Sequence, residues 1–156
     1  MRLGRRVCLD VGERSRRLAY QWTGGHPLLH RQFGSVLLEL ARNHRDGSNY
    51  VSTDPFCDEA IDIFLGRDAV MTICHEVSDL LLERYSGTAV RLHELSTACP
   101  QEVAQLIERC GRWHHADLHV LRNFGLLLGS ASEPWIPEVF RWFARTIESY
   151  DRRITA

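Results

Sequence analysis

The chain has 156 residues, 44% of them hydrophobic, and a formal net charge of -1, which is enough apolar material for one ordinary domain or two small ones. All 19 of its basic residues are arginine, and this excludes a phosphate-binding P-loop of its own, because that loop needs a lysine ammonium on the β- and γ-phosphates. No apolar run approaches the roughly 20 residues of a membrane-spanning helix, and Arg2, Arg5 and Arg6 lead into no secretory apolar segment, so a cytoplasmic protein without a membrane partner is expected.

Residues 1–12 carry Leu3, Val7, Leu9 and Val11 in a basic context and suit an extended lead-in ending at Gly12. From Glu13 to Trp22 the positions Leu18, Ala19 and Trp22 predict a short helix whose other face is Arg14, Arg16 and Arg17. Gly24 and Gly25 stop it, and Pro27 sits where a first-turn proline is tolerated, since the N–H it lacks would be unsatisfied there anyway. Leu29, Phe33, Val36, Leu37, Leu40 and Ala41 then repeat at helical spacing to about Asn43, and His44 to Asn49 reads as a loop. Asp54-Pro55 opens the next helix with Asp54 as N-cap, Phe56, Ala60, Ile61, Phe64 and Leu65 inward, and Gly66 as the stop. A boundary is placed there, so that residues 1–66 form a three-helix unit.

Asp68 caps a further helix with Val70, Ile73, Val77, Leu80 and Leu81 inward, ended by Ser86-Gly87. Val90, Leu92 and Leu95 mark a short helix, and Pro100 opens another with Val103, Leu106, Ile107 and Cys110 inward before Gly111. A third runs from about His115 to Phe124 with Leu118, Leu121 and Phe124 on one side. Leu126-Leu127-Leu128 reads as a strand, Gly129 to Glu133 as a turn and Trp135-Ile136 as the returning strand. Val139, Phe140, Trp142, Phe143 and Ile147 form the final helix, and Trp135 with the other aromatic residues here is expected in the core. Helix, helix, helix and β-ribbon is the order of a winged helix, bracketed here by an extra helix at each end, so residues 67–156 are expected to form one. The predicted fold class is mainly α, a three-helix lid-like bundle followed by a winged-helix domain with a short β-hairpin.

Taken with these elements, Leu3-Gly4, Tyr20-x-Trp22-Thr23-Gly24-Gly25-His26-Pro27-Leu28-Leu29, Leu118-x-x-Leu121-x-x-Phe124-Gly125-Leu126-Leu127, Trp135-Ile136-Pro137 and the Phe140 to Phe143 region resemble the C-terminal lid and winged helix of bacterial and archaeal STAND-type AAA-like ATPases. The resemblance implies an adenine-side binding corner at Gly24, Gly25, His26 and Pro27, with Pro27 against the base. A glycine pair lets backbone approach a planar ring closely, and proline offers a rigid apolar face without a donor. It also implies a regulatory, nucleotide-sensing role exerted through protein contacts. ATP or ADP would be bound only when a P-loop ATPase core or other protein completes the pocket, and the chain is not expected to be an enzyme by itself. In many such relatives a winged-helix histidine reaches the phosphate, but His75, His93, His114, His115 and His119 sit in no motif that assigns the role.

Three other groups of residues were weighed. Cys110, His114, His115 and His119 have helical ligand spacing, but Gly111 interrupts them and no fourth ligand is in view, so no tetrahedral metal site is expected. Cys8, Cys57, Cys74, Cys99 and Cys110 form no C-x-x-C pair and are expected as reduced, mostly buried thiols; no Ser-His-Asp or Cys-His pairing is specified, so no catalytic residue is assigned. The alternative function is a free-standing winged-helix DNA-binding regulator of transcription, with Arg122 and Asn123 on the helix that would enter the major groove. From Arg67 onward, however, 10 arginines face 12 acidic residues, a poor source of phosphate contacts, and nucleic acid is the less favoured partner.

Overall fold

A computed structural model of the chain describes residues 12–43, 53–109 and 115–155. The fold is mainly α with a short antiparallel hairpin. In order the elements are α1 (Gly12–Thr23), α2 (Pro27–Asn43), α3 (Asp54–Leu65), α4 (Asp68–Arg84), α5 (Ser86–Thr97), a 3-10 turn (Pro100–Glu102), α6 (Val103–Arg109), α7 (His115–Asn123), β1 (Leu128–Gly129), β2 (Pro134–Trp135) and α8 (Glu138–Thr155). The expected lead-in before Gly12 and the 44–49 loop lie outside the described residues. No helix among those described is long and apolar enough to cross a membrane.

The chain divides into two compact units, Met1–Ile73 and Cys74–Ala156. The division falls inside α4, not at the Gly66 stop. A polar grip accounts for the first turns of α4 going with the earlier helices. Arg67 donates to Gln32 Oε1 at 3.2 Å, to Ser35 Oγ at 3.3 Å and to Glu39 Oε2 at 2.7 Å, so one guanidinium holds three residues along one face of α2. Val70 behind it is fully buried.

In the first unit α2 packs on both α1 and α3. Its stripe of Leu29, Phe33, Val36, Leu37 and Leu40 is buried, as the spacing predicts. Phe33 meets Phe64 of α3 with ring centroids 4.9 Å apart and planes tilted by 55°, the offset geometry that aromatic pairs prefer. Each such side chain contributes about 1.5–3 kcal/mol of apolar burial. Two expectations need correction. The N-cap of α3 is Thr53, not Asp54, and Asp54, already helical, is paired with Arg14 of α1. On α1 the fully buried positions are Ser15, Ala19 and Thr23, while Leu18 and Trp22 are only half-buried.

In the second unit α5 packs on α7 and α8, and α6 on β2. The break before α5 falls at Tyr85, one residue earlier than expected. Val90 points outward, 54% exposed, and the inward face is built by Thr88, Leu95 and Ser96. Thr88 Oγ1 donates to Asp117 Oδ1 of α7 at 2.9 Å, and Gly87 lies so close to that carboxylate that a Cβ there would be 3.3 Å from it. A carboxylate from α7 thus sits at the N-terminus of α5, where the helix dipole favours it.

The hairpin is shorter than expected, pairing Leu128 with Trp135 and Gly129 with Pro134. Leu126 and Leu127 are outside the strand yet buried, because both N–H groups turn back onto Leu121 O at the end of α7. The same turn leaves Phe124 outside α7 and 42% exposed, not inward. Gly129 has φ +82°, and a Cβ there would fall 2.1 Å from Glu133 O, so only glycine fits. On α8, Phe140 and Phe143 are buried and Trp142 is half-buried, as is Trp135 of β2. Arg141 is buried, with Nη2 donating to Ala98 O at 2.8 Å.

A small cleft of about 60 Å³ opens between the second half of α4, α5 and α8, lined by Cys74, Leu92, Ser96 and Phe143 among others. Ser96 Oγ is buried there without a hydrogen-bond partner. A buried hydroxyl left unmatched costs its desolvation, so Ser96→Ala is expected to raise unfolding stability by about 1 kcal/mol. A urea midpoint unchanged or lowered in Ser96→Ala would contradict this.

Candidate functional site

The corner between α1 and α2 is held by one hydroxyl. Thr23, fully buried at the end of α1, donates through Oγ1 to Ala19 O at 2.6 Å. The same oxygen lies 2.9 Å from His30 Nδ1 and 3.3 Å from the Gly25 N–H. A hydroxyl has a single proton. With that proton on Ala19 O, the oxygen accepts from both Gly25 N–H and His30 Nδ1–H, which fixes the Nδ1–H tautomer of His30 and leaves Nε2 as an acceptor.

Around this hub the backbone turns sharply. Gly24 N–H donates to Tyr20 O at 2.7 Å and His26 N–H to Thr23 O at 3.0 Å. Gly24 and Gly25 both take the left-handed conformation, at φ 60° and 77°, where a side chain is strained. A Cβ on Gly25 would also lie 3.4 Å from the Tyr20 ring. Pro27 then begins α2 and is exposed. The flanking Tyr20 and Leu28 are 48% and 51% exposed, giving the corner an apolar rim.

Two imidazoles complete it. His26 Nδ1 is buried with no hydrogen-bond partner. Burial holds both His26 and His30 below the ordinary imidazole range, because desolvation penalises the charged ring. Both rings are therefore neutral near pH 7, and the corner combines neutral imidazoles with bare glycine backbone and an apolar rim. That set suits a flat, neutral, donor-bearing ring better than an anion.

Gly24, Gly25, His26 and Pro27 are thus brought together in one turn, while the sequence places Thr23 and His30 at the two ends of the stretch without giving either a role. The visible signal was a threonine seven residues before a histidine across a glycine turn. The arginines of α1 are engaged locally: Arg16 and Arg17 lie 3.4 and 3.1 Å from Glu13, and Arg14 pairs with Asp54. On α7, Arg122 and Asn123 are exposed, and Arg122 Nη1 donates to Gly129 O at 3.4 Å. Cys57 and Cys74 are buried free thiols, and burial pushes Cys74 up to about 12, so it is inert as a nucleophile. Cys99 is free and exposed. Cys8, Cys110 and His114 lie outside the described residues, as does the Leu3-Gly4 part of the family resemblance. Among the described residues no three His, Cys, Asp or Glu side chains gather as a metal site would require.

Comparison with protein-family models, with curated proteins and with solved structures finds no match.

Thr23→Val keeps the shape and removes the hub, leaving His30 Nδ1–H, Gly25 N–H and Ala19 O short of a partner. A loss of about 1–3 kcal/mol is expected, read from urea denaturation, and a loss confined to a few tenths would show that the hub is dispensable. The two lowered imidazoles also set a pH dependence. Their contribution is complete above the unfolded value of 6.5 and is lost as pH falls through the depressed folded values, because the unfolded chain then binds the protons first. The midpoint of the native chain should therefore drop more between pH 7.5 and pH 5.5 than that of the His26→Gln, His30→Gln double variant. Parallel pH profiles would refute the assignment.

Proposed function

We propose that this chain is a nucleotide-sensing regulatory part of a STAND-type ATPase, a helical lid followed by a winged helix, which closes over adenine nucleotide held by a P-loop core from elsewhere and acts through protein contacts. The observation that carries the reading is the corner itself. Left-handed glycines, a first-turn proline, an exposed tyrosine and leucine, and a neutral His30 whose Nε2 is left as an acceptor together complement a planar base bearing an amino group. The absence of lysine from the chain agrees with a pocket whose phosphate side is supplied by a partner.

In this role Tyr20 and Pro27 flank the base and the Gly24-Gly25 backbone lets it approach. The helix-to-hairpin order of residues 86–135 supports the winged-helix assignment for the second part. Free-standing DNA binding draws little support: Arg122 shares its guanidinium with Gly129 O, and Asp117 on the same helix carries negative charge.

The test is calorimetric titration of ATP and ADP into the chain alone and into its complex with a STAND-type P-loop core. The chain alone should bind neither measurably. In the complex, Tyr20→Ala should weaken ADP binding about fivefold or more, the loss typical of one base–aromatic stack, and Pro27→Ala should act in the same direction. Nucleotide affinity of the complex indifferent to both substitutions would overturn the proposal.

A further inference from the structure

The exposed face of α7 carries a second arrangement that the nucleotide reading leaves unused. His115 and His119 are one helical turn apart, both exposed, and both line the same open cleft of about 610 Å³ against α6. Ile107, Ala116 and Leu118 give the cleft an apolar wall, Arg122 stands at its side, and among the described residues no carboxylate lines it. Asp117, between the two histidines in sequence, is turned to Thr88 on α5. Arg122 is tethered through Nη1 to Gly129 O. Among the described residues no hydrogen bond or ion pair engages either imidazole.

We propose that His115 and His119 chelate a divalent transition-metal ion of the borderline class, such as Ni2+ or Zn2+, in an open two-histidine site. The reasoning is geometric and chemical. Residues four apart on a helix have Cβ atoms about 5–6 Å apart, which lets two imidazole nitrogens meet one ion at the usual length of about 2.0–2.1 Å. The same spacing supplies the paired histidines of helical zinc motifs. Imidazole suits Zn, Cu and Ni, while magnesium and calcium prefer oxygen donors. With only two protein ligands the ion keeps positions open toward the cleft, where water or a small anion beside Arg122 completes its shell. This site differs from the closed four-ligand arrangement that the sequence argues against.

Titration of Ni2+ into the full chain, stripped of metal with EDTA, should give one site, with Mg2+ and Ca2+ giving no heat. His115→Ala and His119→Ala should each weaken Ni2+ binding by more than the roughly tenfold to hundredfold that loss of a mere outer-shell partner costs. Two double variants keep the histidine count and change only the geometry. His119→Ala with Asn123→His places the rings two turns apart and should remain weak. His115→Ala with Asn123→His restores the four-residue spacing one turn later and should recover the affinity. All these positions are exposed, and circular dichroism checks that each variant folds. Binding kept by His119→Ala, or not recovered when the pair is moved, overturns the site.

Discussion

The corner that joins α1 to α2 turns on the single proton of the Thr23 hydroxyl. Spent on Ala19 O, it makes the oxygen an acceptor for two groups that lie beyond the end of α1, and so ties the close of one helix to the opening of the next. The tie fixes the tautomer of His30 and holds the glycine pair in left-handed backbone. It also places Tyr20 against Gly25, and these consequences together define what the corner can accept. Arg67 performs an analogous task at the other end of the unit, where a rigid guanidinium fork reads three side chains of α2 at once.

Much of this architecture was legible in the sequence, for identifiable reasons. α2 was read at both ends because Pro27 sets its start and an uninterrupted 3.6-residue stripe carries it to Asn43. The glycine corner and the late hairpin followed from turn chemistry. Apolar spacing failed where burial is polar. Thr88 and Ser96 join Leu95 on the inner face of α5 while Val90 is left outside, so counting hydrophobic residues misses part of that face. Arg141 escaped notice because its partner, the Ala98 carbonyl, is 43 positions away, and no local pattern announces such a bond. Thr53 is the N-cap because its backbone is extended and Asp54 is already helical, a choice of position that residue type alone does not reveal. At the site the four corner residues were legible as a turn, but the hydroxyl that organises them was not.

The two units fix a helix end by different means. At the α1–α2 corner the partners are local, within seven residues of Thr23. At the start of α5 the bond is between side chains of two helices 29 positions apart, as Thr88 Oγ1 donates to Asp117. A local device can form as soon as its own segment is made. The second needs α5 and α7 to meet, which raises the sequence separation of the contacts on which that unit rests.

The thiols hold a practical consequence. Thiolate, not thiol, is the reacting species, and burial holds both Cys57 and Cys74 toward the protonated form. Cys99 alone among the described cysteines is exposed. It follows directly after Ala98, whose carbonyl receives the buried Arg141. A fluorophore coupled under mild alkylating conditions therefore favours Cys99 over those two sites, and its emission would report on the bond between Arg141 of α8 and the Ala98 carbonyl just past the end of α5.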